Sequence, residues 1–259
     1  MWYYSFGRSI KGGDFTEKLL ELGQIKHSGR IAELDFLKGI ALILMILNHI
    51  FFDLSQFFSA DVSRFDLFAS IVGKLSAVMF MTLCGVSATL GKRNVQNGLR
   101  LLFLATALSL ATAVFDRVAG TEVCIKFGIL HFLSFAMMLS CAVKKLPVWA
   151  TGILALASYA LGKYFSAVFV DAWFLFPLGL RTRQFSSGDY YPLFPNLCFV
   201  FLGIIIGKTL YKNRKSLFKR QPGLIKPLCF LGRHTLILYF VHQPIILAVL
   251  YVVMKICGQ

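Results

Sequence analysis

A histidine and an aspartate lie four residues apart in one of the most apolar stretches of the chain. His49 and Asp53 belong to segment 35–54, which is otherwise mostly aliphatic. In a helix this spacing places both side chains on one face. A carboxylate beside an imidazole can hold one tautomer of the ring and stabilise its protonated form. The pattern therefore predicts a general base within an apolar helix, with His49 and Asp53 as the catalytic residues.

The helix that would carry this pair has the length of a membrane span. About 20 apolar residues are needed to cross a bilayer at 1.5 Å per residue. Ionisable groups in such a helix cost several kcal/mol unless they face a partner or a polar cavity. Lys38, near one end of the segment, could reach the membrane surface by snorkelling. Lys74, in the middle of the next apolar run, is expected to pair with Asp53 or Asp189, between which the sequence does not choose.

Composition indicates a membrane protein and argues against nucleic-acid binding. Of the 259 residues, 57% are hydrophobic and 15% are charged, with a mean hydropathy of +0.71. Soluble domains contain about 25% charged residues. The formal net charge of +15 comes from 27 Lys and Arg against 12 Asp and Glu. Because the apolar runs leave no soluble domain for nucleic acid, basic cytoplasmic loops explain this charge better. The expected partner is the lipid bilayer.

Hydropathy predicts an all-α polytopic membrane helix bundle with about seven transmembrane helices. Residues 166–192 are apolar but contain Asp171 and Pro177, so we interpret them as a re-entrant or interfacial hairpin. An eighth span in this segment is the alternative, and it would reverse the side on which the C-terminus lies. The seven helices are expected at 35–54, 67–91, 99–115, 127–143, 147–165, 193–211 and 228–254.

Loop charge predicts the orientation of the bundle. Residues 1–34 are expected to form a basic cytoplasmic leader with a short amphipathic helix, and residues 35–259 to form the transmembrane domain. With the N-terminus in the cytoplasm, most loop Lys and Arg residues also lie on the cytoplasmic side, as the positive-inside rule requires. Seven spans then place the C-terminus outside.

Two further histidines could line one outward-facing cavity with His49. In the predicted orientation, His131 lies in the outer half of the helix at 127–143, and His242 lies in the last helix, about two turns deeper than His234 at the cytoplasmic side. Either could instead simply hydrogen-bond a backbone carbonyl. For His242 this alternative is plausible because Pro244 leaves a carbonyl of the same helix unpaired. No HxxxH or HExxH spacing occurs, so no metal site is predicted.

Five blocks of the sequence, from LDFLKGIALILMILNHIFFD in the first helix to FLGRHTLILYFVHQPI in the last, together resemble the heparan-α-glucosaminide N-acetyltransferase catalytic-domain family, which has many bacterial members. The resemblance extends from about Arg30 to Ile246, in the expected order. The first helix also resembles the acyltransferase-3 type of membrane acyltransferase, in which an Arg precedes a His by the spacing that Lys38 and His49 show here. The five blocks are LDFLKGIALILMILNHIFFD, FMTLCGVSATLGKR, FGILHFLS, SGDYYPLFPNLCFVFLGIIIGK and FLGRHTLILYFVHQPI.

The resemblance implies acyl transfer across a membrane. The donor would be cytoplasmic acyl-CoA, normally acetyl-CoA, and the acceptor an amine or hydroxyl of a sugar or glycan on the other side. The CoA phosphates would meet basic residues at the inner rim, namely Lys38, Arg93, Arg100 and Arg233. His49 would act as general base with Asp53 holding its tautomer, and His131 or His242 would assist. Direct transfer and an acyl-histidine intermediate both remain open.

Asp189 and Tyr190 lie just before the helix at 193–211, in a position that suits acceptor binding. A carboxylate and a phenol can hydrogen-bond a sugar, yet a helix cap and an interfacial aromatic belt explain these residues equally well. A different function class also stays open, because buried His and Asp residues could form the proton relay of a small-molecule transporter or flippase. The expected location is a bacterial plasma membrane, with an oligomer possible.

Overall fold

Eight α-helices account for most of the residues that the computed structural model describes, which are 31–58, 63–120, 123–216 and 225–256. Short 3-10 turns cover Ser63–Phe65 and Trp173–Leu178. The helices are α1 (Ala32–Phe58), α2 (Asp66–Leu90), α3 (Asn94–Ala119), α4 (Ile129–Val143), α5 (Val148–Ser166), α6 (Leu193–Thr209), α7 (Lys226–Arg233) and α8 (Thr235–Ile256).

Lysine side chains satisfy backbone carbonyls at one end of the bundle. Lys144, which follows α4, donates through Nζ to the carbonyl of Gly91 at the end of α2, at 2.9 Å. Lys208 near the end of α6 donates to the carbonyl of Leu146, at 2.6 Å. The last carbonyls of a helix have no partner within the helix and carry partial negative charge. Each lysine therefore ties a helix end to a neighbouring helix.

The helices pack around α2, which contacts α1, α4 and α6. Two glycines allow the closest of these contacts. A Cβ on Gly85 of α2 would collide with the carbonyl of Val200, and a Cβ on Gly203 of α6 would collide with the carbonyl of Thr82. Small residues at a helix crossing let two backbones approach, which is the usual packing between membrane helices. On the other side of the bundle, α7 and α8 pack against α1.

The surface of the bundle is apolar, as expected for a protein in contact with lipid. Large side chains such as Phe103 and Val118 on α3, and Leu156 on α5, are 74%, 84% and 73% exposed. Four described helices are long and apolar enough to cross a membrane: Ala32–Ser55, Asp66–Leu90, Asn94–Val118 and Thr235–Val253. Helices α4 and α6 are apolar but shorter. A helical integral membrane protein is therefore confirmed, whereas the number of spans, seven or eight, stays a prediction.

The structure corrects the last predicted helix. The expected segment 228–254 is divided into α7 and α8 at His234, where the amide donates to the carbonyls of both Phe230 and Leu231. The division follows from packing, since a Cβ on Gly232 would collide with the carbonyl of Asp35 in α1. Helix α7 is held across the start of α1 by this contact. Helix α8 then begins at Thr235 as a separate helix.

Residues 167–192 form an irregular connection without a helix of membrane length. Within it, the amide of Val170 donates to the carbonyl of Arg181 at 3.1 Å, which closes residues 170–181 into a loop. The segment is not a spanning helix in the described structure, and its re-entrant or interfacial position stays a prediction. Lys74 is exposed on α2 and pairs with no described carboxylate, so the expected ion pair with Asp53 or Asp189 is wrong. The predicted leader helix lies outside the described residues.

Candidate active site

The structure brings two of the predicted histidines together. His49 on α1 and His242 on α8 stack with ring centroids 4.8 Å apart and an interplanar angle of 11°. The contact forms because α8 packs along α1. Both rings lie in helices that can cross the membrane. Two neutral imidazoles in contact give this place in the bundle two possible proton acceptors.

The backbone fixes the tautomer of His242. Its Nδ1 lies 2.5 Å from the carbonyl oxygen of Tyr239. A carbonyl accepts and does not donate, so Nδ1 carries the hydrogen and Nε2 presents its lone pair. Nε2 is buried and has no hydrogen-bond partner among the described residues. His242 can therefore bond a backbone carbonyl of its own helix and also act as a base, because the first role uses Nδ1 and the second uses Nε2.

Asp53 pairs with a residue that the sequence did not indicate as its partner. Gln243 on α8 donates through Nε2 to Oδ1 of Asp53 at 2.7 Å, and Asp53 is fully buried. Oδ2 of Asp53 is also buried and has no partner in the described part of the chain. The predicted hydrogen bond from His49 to Asp53 is therefore wrong. Both residues lie on the face of α1 that meets α8, but Asp53 is bound by an amide from α8 instead.

A cavity of about 280 Å³ begins beside the start of α1 and ends close to the histidines. Lys38 and Arg233 line one end, which we call the basic end, and Phe80, Leu130 and Tyr239 line the other. Phe80 and Ser87 both contribute to the wall, and seven residues of helix span roughly 10 Å. Tyr239 links the cavity to the histidines, because its carbonyl accepts from His242 and its ring lies 5.4 Å from that imidazole.

The basic end has a defined structure. Arg233 donates through Nε to Oδ2 of Asp35 at 3.3 Å, which positions the guanidinium beside the start of α1. Ser87 lines the same cavity, and its buried hydroxyl has no hydrogen-bond partner among the described residues. Sequence reasoning did not select Ser87, since a serine in a small-residue helix segment gives no distinguishing signal. Most of the remaining wall is apolar.

Two of the four predicted donor-binding basic residues lie elsewhere. Arg93 and Arg100 are exposed and do not line the cavity, whereas Leu101 does. Successive residues on a helix point about 100° apart, so Leu101 and Arg100 cannot share a direction. The prediction that Arg93 and Arg100 contribute to the same basic rim as Lys38 and Arg233 is therefore not supported at this cavity.

His131 is separate from the histidine pair. It is buried in α4 and stacks on Phe127 at a centroid distance of 5.6 Å. Its neighbours Ile129 and Leu130 line the cavity, but His131 does not. His49 and His242 do not line this cavity either, so the expectation that His131 shares an outward-facing cavity with them stays a prediction. In the described parts of the chain, no group of three or more His, Cys, Asp and Glu residues could hold a metal ion.

Asp189 and Tyr190 hold the irregular connection against the start of α4. Oδ2 of Asp189 accepts from the amide of Ile129 at 2.9 Å, which satisfies a free N–H group at the helix start. Burial raises the pKa of Asp189 to about 6, although this hydrogen bond opposes the shift. The hydroxyl of Tyr190 donates to the carbonyl of Phe176 at 2.6 Å. A capping role for Asp189 thus stands beside its predicted role in acceptor binding.

Comparison with known proteins gives one match. A family model described as heparan-alpha-glucosaminide N-acetyltransferase, catalytic, matches residues 30–244. This range contains the histidine pair, Asp53 and the whole wall of the cavity. No curated protein and no solved structure is significantly similar to the chain.

Proposed function

Since the chain belongs to the heparan-alpha-glucosaminide N-acetyltransferase catalytic family, a family of membrane acetyltransferases, we propose that it transfers an acetyl group from cytoplasmic acetyl-CoA to a sugar. The acceptor atom is an amine or hydroxyl on a sugar or glycan on the opposite side of the membrane. One observation carries the proposal: a single cavity has Lys38 and Arg233 at one end and Tyr239, in contact with His242, at the other.

The basic end of the cavity suits the phosphates of the donor. CoA carries several negative charges, and Lys and Arg side chains form charge-assisted hydrogen bonds with phosphate oxygens. The roughly 10 Å of cavity beyond Lys38 and Arg233 would take the arm that ends in the thioester. Ser87, whose buried hydroxyl lacks a partner in the described structure, can hydrogen-bond an amide of that arm. The thioester would then reach Tyr239, one helical turn from the histidine pair.

The histidine pair supplies the proton acceptor. An amine nitrogen or hydroxyl oxygen that attacks the thioester carbonyl loses a proton as the new bond forms, and the CoA thiolate leaves and is protonated. We assign the general base to His49, with His242 stacked against it. Asp53 lies one turn from His49 and its charge stabilises an imidazolium in the pair. Its hydrogen bond from Gln243 fixes the carboxylate in place.

The proposed topology follows from charge. The ends of α2 and α4 whose carbonyls Lys144 and Lys208 bind would face the cytoplasm, together with the end of α6 that carries Lys208, the N-terminus and the basic end of the cavity. The histidine pair then lies nearer the opposite face, where the acceptor enters. Seven spans would place the C-terminus outside, and the membrane would be a bacterial plasma membrane.

The decisive experiment measures thiol release by purified protein in detergent, supplied with acetyl-CoA and either an amino sugar or a sugar without an amine. We expect CoA release that depends on acceptor, and a melting temperature that rises with acetyl-CoA concentration, because a ligand of the native state stabilises it. Absence of both effects with every acyl-CoA contradicts the proposal. A proton-driven uptake assay in proteoliposomes would then test the transporter alternative.

A further inference from the structure

Three buried polar atoms beside the histidine pair are potential hydrogen-bond acceptors: Oδ2 of Asp53, Oε1 of Gln243 and Nε2 of His242. None of them has a hydrogen-bond partner among the described residues. Each is an acceptor for a structural reason. Gln243 uses its Nε2 donor on Asp53, so its oxygen remains, and His242 uses its Nδ1 donor on Tyr239. Asp53 is an acceptor at both oxygens when ionised.

These atoms belong to one small cluster. Gln243 and Asp53 are joined by a hydrogen bond of 2.7 Å, and His242 stacks on His49, which lies one turn from Asp53 on α1. Asp53 is fully buried and His242 is 8% exposed. Buried acceptors without donors destabilise a protein, so such a cluster selects a ligand that brings several donors. A primary ammonium has three N–H donors and a positive charge that complements Asp53, whereas a hydroxyl has one donor and no charge.

We propose, on the basis of the function above, that the acceptor binds as its ammonium to Asp53, Gln243 and His242, and that Nε2 of His242 removes the first proton. The second proton, lost as the amine acylates, goes to His49. The stacked pair thus divides two proton transfers between two bases. This assigns a catalytic role to His242 that is separate from the role of His49.

The proton balance requires two acceptors. An ammonium R–NH3⁺ gives one proton to His242, and the neutral nitrogen attacks the thioester carbon to form the C–N bond. The nitrogen then gives a second proton to His49 as the C–S bond breaks. The CoA thiolate takes this proton from His49, which regenerates the base. The products are the amide and the CoA thiol, and the remaining proton leaves from His242.

The surroundings of His242 suit a proton acceptor. Its ring stacks on His49 of α1, a helix that also carries Asp53 one turn further along, and on its own helix it contacts Tyr239 and adjoins Gln243. Asp189 and Tyr191 act electrostatically on Tyr239 from the irregular connection. When His242 is protonated, the charge of Asp53, one turn from the stacked ring of His49, would stabilise it, while the neutral ring of His49 remains available.

The test compares two acceptor amines at one pH: an alkyl amine or amino sugar that is protonated, and an aromatic amine or hydrazide that is neutral. The variant is His242→Asn, whose Nδ2–H can replace the Nδ1–H donor to Tyr239 while Nε2 is lost. We expect kcat/KM to fall about a hundredfold or more with the protonated acceptor and only a few-fold with the neutral one. Raising the pH toward the pKa of the ammonium should restore the loss. His234→Asn, at an exposed histidine, is the matched control.

A second variant keeps the proposal testable if His242→Asn does not fold. Asp53→Asn retains an oxygen for Gln243 but places a donor where Oδ2 accepts, so KM should rise for the protonated acceptor alone. Equal losses with both acceptors, unchanged by pH, would overturn the proposal. Wild-type protein that releases no thiol with either acceptor would instead contradict the acetyltransferase function itself, so the two failures are distinguishable.

Discussion

The amide of Gln243 donates to Oδ1 of Asp53 across the contact between α8 and α1, at 2.7 Å. The bond joins the last described helix to the first, next to the stacked rings of His49 and His242. A carboxylate in an apolar bundle needs such a donor, since an ionised group without one is strongly unfavourable there. This contact therefore fixes both the packing of α8 and the position of the charge beside the histidines.

Replacing Gln243 with Met should destabilise the protein and weaken catalysis. Met has a similar volume and removes the donor, which leaves a buried carboxylate without its partner, at a cost of about 1–3 kcal/mol. Gln243→Glu is a stricter comparison because it introduces a second acidic group against Asp53. Melting temperatures of the purified proteins should fall in both variants. If Gln243→Met has the same melting temperature as the wild type, the hydrogen bond does not hold α8 in place.

Replacing His49 with Ala should reduce turnover by roughly a hundredfold to ten-thousandfold, the usual contribution of a general base. The reduction should appear in kcat more than in the KM for acetyl-CoA, because His49 does not line the donor cavity. His234→Ala is the control, since this histidine is exposed and bonds only the carbonyl of Phe230 among the described groups. A His49→Ala enzyme as active as this control excludes His49 as the base.

Donor binding should depend on Arg233 and not on Arg100. Arg233→Gln removes a charge from the basic end of the cavity and should raise the KM for acetyl-CoA about tenfold or more, the effect of losing one hydrogen bond to a charged group. Arg100→Gln makes the same change on an exposed surface outside the cavity, where little effect is expected. Equal changes in the two variants would indicate general electrostatic attraction along the basic surface instead of a donor site.

Filling the cavity provides an independent measurement of donor binding. Ser87 and Leu133 both line it. Leu133→Trp adds side-chain volume within the wall, so acetyl-CoA should no longer raise the melting temperature. Ser87→Ala removes only a hydroxyl, and it should weaken binding without abolishing it. Binding of acetyl-CoA that is unchanged in Leu133→Trp would show that the donor occupies a different part of the protein.

Hydropathy was sufficient to place the long helices, because twenty apolar residues have few alternatives to a membrane helix. It failed at residues 228–254, where the apolar run continues although the helix is interrupted at His234. The cause is a tertiary contact, the approach of Gly232 to the backbone of Asp35. The sequence around Gly232 does not reveal that this glycine packs against Asp35 of α1. The division into α7 and α8 therefore could not be predicted from the hydropathy of this segment alone.

Residue types in the sequence pointed to the candidate site, whereas the pairing of its side chains could not be predicted. Polar residues in apolar helices are rare enough to mark His49, Asp53 and His242. Their partners depend on how α8 is rotated against α1, and this decides that Gln243 and not His49 binds Asp53. The same limit applies to Arg100. The rotation of α3 about its axis places the next residue, Leu101, in the cavity wall and leaves Arg100 outside it. Residue spacing within one helix does not contain that information.

Asp189 should make the stability of the protein depend on pH. Its pKa is raised from 3.8 to about 6 by burial, so the folded state binds a proton more tightly than the unfolded state does. Folding is then most favoured below pH 4, and this contribution is lost as the pH rises through about 6. Asp189→Asn removes the titration. The melting temperature of the wild type relative to this variant should therefore fall between pH 4 and 7. Asp171→Asn, at an exposed position in the same connection, should parallel the wild type across this range. A constant difference between wild type and Asp189→Asn would mean that Asp189 stays ionised while it caps α4.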